Sequence, residues 1–245
     1  MTPKLFVGTA GWGLDRRCAG DFPKAGSHLE RYSGSLDAAE INSSFHRPHR
    51  RSTYERWAAS VPENFRFSVK LPKTITHERR LLHCGSLLDA FLAEAEGLGR
   101  RLGCLLVQLP PSFAFDETLV AAFFGLLRER TRGSVACEPR HPTWFDENAD
   151  RALAELRVAR VAADPSRAPG ADAPGGWPGL VYYRLHGSPR MYYSDYSAEV
   201  LAKLAASLAT SARDGVPAWC MFDNTMSAAA IGNALTLRTL VTDLI

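Results

Sequence analysis

Acidic, basic and imidazole side chains crowd together at several places along this sequence. The densest is Glu138-Pro139-Arg140-His141, a carboxylate, a guanidinium and an imidazole within four residues. Such a set offers a general acid/base, an anion clamp and a proton carrier. Its plain alternative is a structural ion pair followed by a turn that Pro142 and Trp144 shape. In an extended segment Glu138 and Arg140 share a side, because alternate strand residues face the same way. Arg184 and His186 alternate likewise around Leu185, with Arg184 suited to bidentate phosphate contact or to a bridge with Asp223 or Glu138. Lys70 closes an apolar run just ahead of Pro72. A lysine there can serve as a base or imine-forming nucleophile, hold a phosphate as a cation, or pair with Glu40 or Glu138.

These residues define the expected site. Glu138, Asp223, His141, His186 and Lys70 are the catalytic candidates. Arg140, Arg184, Asn42, Gln108, His77, Trp12, Tyr192 and Asn224 are the expected substrate or anion contacts. No cofactor is expected; a divalent metal remains an option, held by Glu138, Asp164, Asp223 and His186, although no HExxH-type spacing supports it and the nearby cations oppose a cation cage.

Three further stretches bear on the ligand. Gly8-Thr9-Ala10-Gly11-Trp12-Gly13 lacks the GxGxxG order of a dinucleotide loop and reads as a tight turn with Trp12 packing or stacking at its end. Residues 191–196 hold three tyrosines, able to stack on a sugar or base or to pack as a rim. Arg47-Pro48-His49-Arg50-Arg51 and Glu78-Arg79-Arg80 are basic loops, either solvated or facing an anion.

The elements that must position these groups follow from period. Eight short apolar runs, at 4–8, 38–42, 65–70, 104–108, 134–138, 158–164, 181–186 and 218–223, each close on polar residues. Their ends are spaced by about 31 residues on average, close to a strand–helix–strand unit. Their near-continuous apolar character fits strands buried on both faces of a parallel sheet. Helical stripes lie between them, with Ser86, Asp116, Asp146, Ser197 and Ser227 as expected starts. Residues 165–179 hold four prolines and four glycines, which leaves no room for a helix. We therefore expect one α/β domain over 1–245, a (β/α)8 TIM-like barrel whose sixth helix is replaced by the loop 165–179; an open doubly wound sheet is the alternative. In such a barrel the C-terminal strand ends carry the active site.

The run ends also resemble a known family. Gly8-Thr9-Ala10-Gly11-Trp12, Glu40-Ile41-Asn42-Ser43-Ser44-Phe45, Val69-Lys70-Leu71-Pro72 with Ile75-Thr76-His77, and Val107-Gln108-Leu109-Pro110-Pro111 occur in order. Glu138-Pro139-Arg140-His141-Pro142-Thr143-Trp144, Ala163-Asp164-Pro165, Tyr183-Arg184-Leu185-His186-Gly187 and Phe222-Asp223-Asn224-Thr225 follow. Together they resemble the YecE-like family, domain of unknown function 72, from about Phe6 to Leu240. The resemblance implies a (β/α)8-barrel-like fold and leaves the reaction unassigned. His46 stands where that family commonly has a tyrosine.

Composition narrows the function classes. With 46% hydrophobic and 22% charged residues, the chain can build a sizeable core, which excludes pervasive disorder. A net charge of +3 is too small to announce nucleic-acid binding. Five scattered cysteines without a CxxC pair read as reduced thiols. No membrane-length apolar run occurs and residues 1–4 open no signal-peptide core, so a cytoplasmic location and no membrane partner are expected. The expected function is an enzyme acting on an anionic, phosphorylated substrate, a phosphosugar or phosphodiester, by hydrolysis or isomerisation. The alternative is a non-catalytic barrel binding nucleic acid or a phosphorylated metabolite on the same face.

Overall fold

Short apolar runs bounded by turn residues pair into strands here, and the amphipathic stretches between them fold back as covering helices. The computed structural model describes residues 5–245. Lys4, which opens the first run, and the reading of residues 1–4 as free of a leader lie outside the described residues. The strands are β1 (Leu5–Ala10), β2 (Ala38–Ile41), β3 (Arg66–Lys70), β4 (Leu102–Gln108), β5 (Ser134–Glu138), β6 (Ala159–Arg160), β7 (Ala162–Asp164), β8 (Gly175–Gly176), β9 (Val181–Leu185) and β10 (Ala218–Phe222). The helices are α1 (His28–Ser33), α2 (Ser43–His46), α3 (Arg51–Ala59), α4 (Gly85–Ala95), α5 (Glu117–Arg130), α6 (Glu147–Glu155), α7 (Ala198–Arg213) and α8 (Ala229–Thr242).

One sheet carries all ten strands in the order β7-β9-β10-β1-β2-β3-β4-β5-β6-β8. Every pairing is parallel except β6 with β8. Near its two ends stand β6 and β7, which only Val161 separates in the chain, so the sheet curves into a nearly closed barrel. The run 158–164 is thus two strands rather than one. Val161 N–H still donates to Cys137 O on the β5 side, at 2.8 Å, whereas Ala162–Asp164 pair with β9. The chain changes neighbours at Val161, and the pairing lapses there.

Two apolar layers result. Leu88, Phe123, Leu153, Leu208 and Leu237 pack between helices and sheet. A second cluster, Leu106, Ala136, Tyr182, Trp219 and Met221, fills the barrel. Trp219 lies 4.5 Å from the Phe6 ring and stacks on Tyr182 at 5.9 Å. Alternate residues of the same strands carry the interior upward, from Tyr182 to Arg184, from Leu106 to Gln108, and from Ala136 to Glu138.

Asp116, Asp146 and Ser197 cap α5, α6 and α7 as expected, each accepting a backbone N–H three residues on. Two expected starts differ. Ser86 lies inside α4, which begins at Gly85 behind Cys84. Ser227 instead donates to Tyr193 O, and α8 begins after Ala228, whose φ is 58°. Leu98 falls in a separate 3-10 turn, Glu96–Arg101. No helix occurs within 165–179, and Arg160 ties that loop down through Gly170 O at 3.0 Å and Ala173 O at 3.2 Å while paired with Asp150. Among the described residues no helix is long and apolar enough to cross a membrane, and all five cysteines are free thiols.

Gly8 explains the first motif. A Cβ there would sit 1.9 Å from Ala38 O and 3.0 Å from Tyr32 Oη, the hydroxyl that also accepts Thr9 N–H at 2.8 Å. The glycine serves the close approach of β1 to β2, not a phosphate. Gly8→Ala should therefore lower unfolding free energy by about 1–3 kcal/mol, the range for overpacking a filled core. Urea titration measures this, and an unchanged midpoint would refute it.

Candidate active site

The upper interior of the barrel is built from charge. Arg184, fully buried at 0% exposure, sits between three carboxylates. Its Nε and Nη2 donate to Glu40 Oε2 and Oε1 at 2.9 and 2.6 Å, a bidentate pair. Nη1 donates to Glu138 Oε2 at 2.6 Å and Nη2 to Asp223 Oδ2 at 3.2 Å. His186 lies beside it, Nδ1 3.0 Å from Asp223 Oδ2 and Nε2 3.1 Å from Glu138 Oε1. Arg140 Nε and Gln108 Nε2 also donate to Glu138 Oε1, at 3.0 and 3.2 Å. Below, Tyr182 Oη bonds Glu40 at 3.1 Å and Ser68 at 2.8 Å, joining the charged layer to the apolar one.

Burial pulls Glu138 upward in pKa, but Arg184, His186 and Arg140 outweigh it and hold the carboxyl well below its usual range. Asp223 follows the same pattern: burial raises it, and Arg184 and His186 bring it below the ordinary value. For His186 burial favours the neutral ring, yet the Glu138 charge and the hydrogen bond that the ring donates to Asp223 raise its pKa. The inner pairs are therefore fixed charges.

Solvent meets this cluster at its rim. The side chains of Asp223 and Arg140 are 13% and 14% exposed. Lys70, at the end of β3, is 8% exposed, with Nζ 4.1 Å from the Phe45 ring centroid. Among the described residues Lys70 has no carboxylate oxygen within 4.0 Å, unlike Lys73 and Lys203, so neither bridge considered for it forms. Burial and the Arg184 charge push its pKa down to about 8, against the pull of Glu40, Glu138 and Asp223. His77 packs edge-on to Phe45 at 4.9 Å; burial and the Lys70, Arg140 and Arg80 charges lower its pKa. Tyr192 places its ring 5.9 Å from His186.

Other expected residues lie apart. His141 is occupied locally, its Nδ1 3.0 Å from Thr143 Oγ1 at the start of the Pro142–Trp144 turn. Asp164 accepts from Tyr196 Oη at 2.6 Å and does not join Glu138, Asp223 and His186. Among the described residues no group of three His, Cys, Asp or Glu has metal-holding geometry; Arg184 occupies the space between the carboxylates. Asn224 turns away, donating to Ser194 O and Asn233 Oδ1 at 2.9 Å each. Trp12 packs on Trp57 at 5.2 Å and, with Asn42 and Glu40, lines a side cavity of about 270 Å³. Asn42 Oδ1 is buried and has no hydrogen-bond partner among the described residues. Glu40, Tyr182 and Phe45 belong to the site although they were not among the expected contacts. Glu40 stands two residues before Asn42, the end of its run, and Tyr182 two residues before Arg184; that alternation was the available signal.

Fold and site define an α/β protein with a barrel-shaped sheet whose mouth is a buried ion network edged by a free lysine. The model of the family described as protein of unknown function DUF72 matches residues 6–244, and the chain belongs to that family. The UPF0759 protein YecE of Escherichia coli (strain K12) is 30% identical over 141 residues, covering 56% of this chain and 52% of that protein. The UPF0759 protein YunF of Bacillus subtilis (strain 168) is 26% identical over 147 residues, covering 58% and 52%. The chain thus spans about half the length of the curated relatives it matches. Crystal structures of DUF72 family proteins from Enterococcus faecalis V583 and Thermotoga maritima MSB8 superpose with TM-scores of 0.80 and 0.78, at 20% and 23% identity. These cover 97% of this chain in both cases, and 95% and 99% of the respective structures.

The network has a pH signature. Glu138 and Asp223 are depressed on folding, so their contribution is complete above the ordinary carboxylate range and is lost as pH falls below about 4. Arg184→Met removes the cation shared by three carboxylates and should cost about 3–5 kcal/mol near neutral pH. That difference from the parent should narrow at about pH 4.5, where Glu138 and Asp223, no longer held down by Arg184, take up protons. Urea unfolding at both pH values tests it; an equal loss at both would mean that Arg184 contributes packing alone.

Proposed function

We propose that this mouth is the active site of an enzyme whose substrate is anionic and phosphate-bearing, a phosphosugar or phosphodiester, converted by hydrolysis or isomerisation. We also read the ten strands as eight barrel positions, with β6 and β7 as halves of the sixth, β8 as an addition, and the loop 165–179 in place of the sixth helix. Active sites of such barrels occupy the face where these strands end. The observation that carries the functional reading is Lys70, a nearly buried cation with no carboxylate partner among the described residues, beside a network whose other charges are paired.

The charge balance supports an incoming anion. Three carboxylates, Glu40, Glu138 and Asp223, face Arg184, Arg140 and Lys70, with His186 raised toward its cationic form. A ligand anion at the rim completes the set. Arg140 has an Nη1 without a protein hydrogen bond among the described residues and is the second anion contact. Asp223, through its pair with His186, is the acid/base group; its Oδ1 has no protein hydrogen bond among the described residues. Glu138 and Arg184 hold this pair in place and set its field.

One observation favours the second reading, a non-catalytic module for nucleic acid or a phosphorylated metabolite. Arg190 lies 4.0 Å over the ring of Tyr193, which is exposed, a cation–aromatic pair suited to bases and phosphates. Turnover of a panel of sugar phosphates and phosphodiesters separates the two. The enzyme reading expects Asp223→Asn to reduce kcat by at least ~100-fold, the usual contribution of a positioned acid or base, with ligand binding retained. Binding without turnover by any member, weakened by Arg140→Ala and falling steeply with salt, would replace it with the module.

A further inference from the structure

We infer that the Lys70 amine forms an imine with its substrate, which makes that substrate the open-chain aldehyde or ketone of a sugar phosphate; this rests on the proposal that the mouth receives an anion. The residue type is the first argument. The chain uses 24 arginines and five lysines, and the other cations of the mouth, Arg140 and Arg184, are arginines. A site needing only a permanent positive charge is served by arginine, which stays protonated throughout the physiological range. Lysine is the cation that can shed its proton and become a nucleophile.

The surroundings are the second argument. Lys24, Lys73 and Lys203 are exposed, and Lys4 lies outside the described residues. Lys70 is buried to 8%, held at the end of β3, and shielded on one side by Phe45. A carboxylate in direct contact would lock the ammonium form, and none lies within 4.0 Å among the described residues. With the pKa pushed down to about 8, Lys70 stays mainly a cation at neutral pH yet passes to the free amine at far lower pH than an exposed lysine does.

The step balances without an oxidant or reductant. The Nζ lone pair adds to the carbonyl carbon, and the C=O electron pair moves to oxygen. Both amine protons then transfer to that oxygen, with Asp223 receiving and returning them, and the oxygen departs as water. A C=N bond remains where the C=O bond was. Uptake of one proton from solvent by that nitrogen gives the iminium cation, whose adjacent C–H bonds are acidified, which is what isomerisation of a sugar phosphate requires.

Trapping tests the inference on the full chain. Incubation with dihydroxyacetone phosphate followed by sodium borohydride should give one reduced adduct per chain, mapped to Lys70 by mass spectrometry of the digest. Lys24, Lys73 and Lys203 should stay unlabelled, Lys73→Arg should leave the adduct unchanged, and Lys70→Arg should abolish it. Glycerol 3-phosphate, which keeps the phosphate and lacks the carbonyl, should compete without labelling. Labelling should rise with pH through about 8; the groups whose charges act on Lys70 are Arg184, Glu40, Glu138 and Asp223, with His77 alongside. Adducts spread over the exposed lysines, or no adduct while glycerol 3-phosphate binds, overturn the imine and leave the anion site standing. Failure of both compounds to bind overturns the imine together with the anion site proposed for sugar phosphates. Mapping on the parent protein decides the matter even if Lys70→Arg folds poorly.

Discussion

A single guanidinium reconciles the charges at the top of this barrel. Arg184 faces Glu40 from β2, Glu138 from β5 and Asp223 just beyond β10, with hydrogen bonds of 2.6 to 3.2 Å. Three carboxylates brought together out of water repel one another and lose hydration, and either effect alone would hold the strand ends apart. A planar fork with five donors can satisfy several carboxylates at once, which a lysine ammonium cannot do with the same geometry. The nearly closed sheet and the ion network therefore require each other. Curvature gathers the carboxylates, and Arg184 permits the curvature.

The interior runs from oil to charge along the strands. Trp219, Phe6, Leu106 and Met221 fill the lower part, and Tyr182 turns its hydroxyl upward to Glu40 and Ser68 where the character changes. This order follows from solvent access. The mouth is open enough for Asp223, Arg140 and Lys70 to keep a small exposed fraction, while Leu106, Tyr182, Trp219 and Met221 beneath are fully buried. Glu138 and Arg184 are paired on all sides within this boundary, whereas Lys70 Nζ and one oxygen of Asp223 have no protein hydrogen bond among the described residues. The loop that carries Tyr192 is pinned nearby, with Asn224 bonding Ser194 O and Asn233 bonding Asp195. Its rim aromatic is thus held on the same face as the charges.

Much of this was legible in the residue order. Alternating polar positions at Glu138 and Arg140, and at Arg184 and His186, announced inward-facing pairs, because strand geometry leaves few other options. The Pro/Gly-rich loop 165–179 could not be a helix, and is not. The capping aspartates 116 and 146 worked for local reasons that sequence carries in full. Ser86 and Ser227 failed because the last turn of a loop is set by what it packs against. Ser227 is taken by Tyr193 O from a distant segment. His141 looked equivalent to its neighbours, but a threonine two residues on claims its ring.

The amino-acid order by itself determined the strand–helix alternation, the family and the list of charged strand ends, since each depends on short-range pattern. Only the tertiary structure decided which of those charges neutralise one another. Pairing depends on distances between residues up to 144 positions apart, as for Arg184 and Glu40, and no local spacing encodes them. The same holds for Lys70: its sequence neighbours suggested a salt bridge as readily as a free amine. Its isolation arises because the carboxylates within reach turn to Arg184, a stronger multidentate partner.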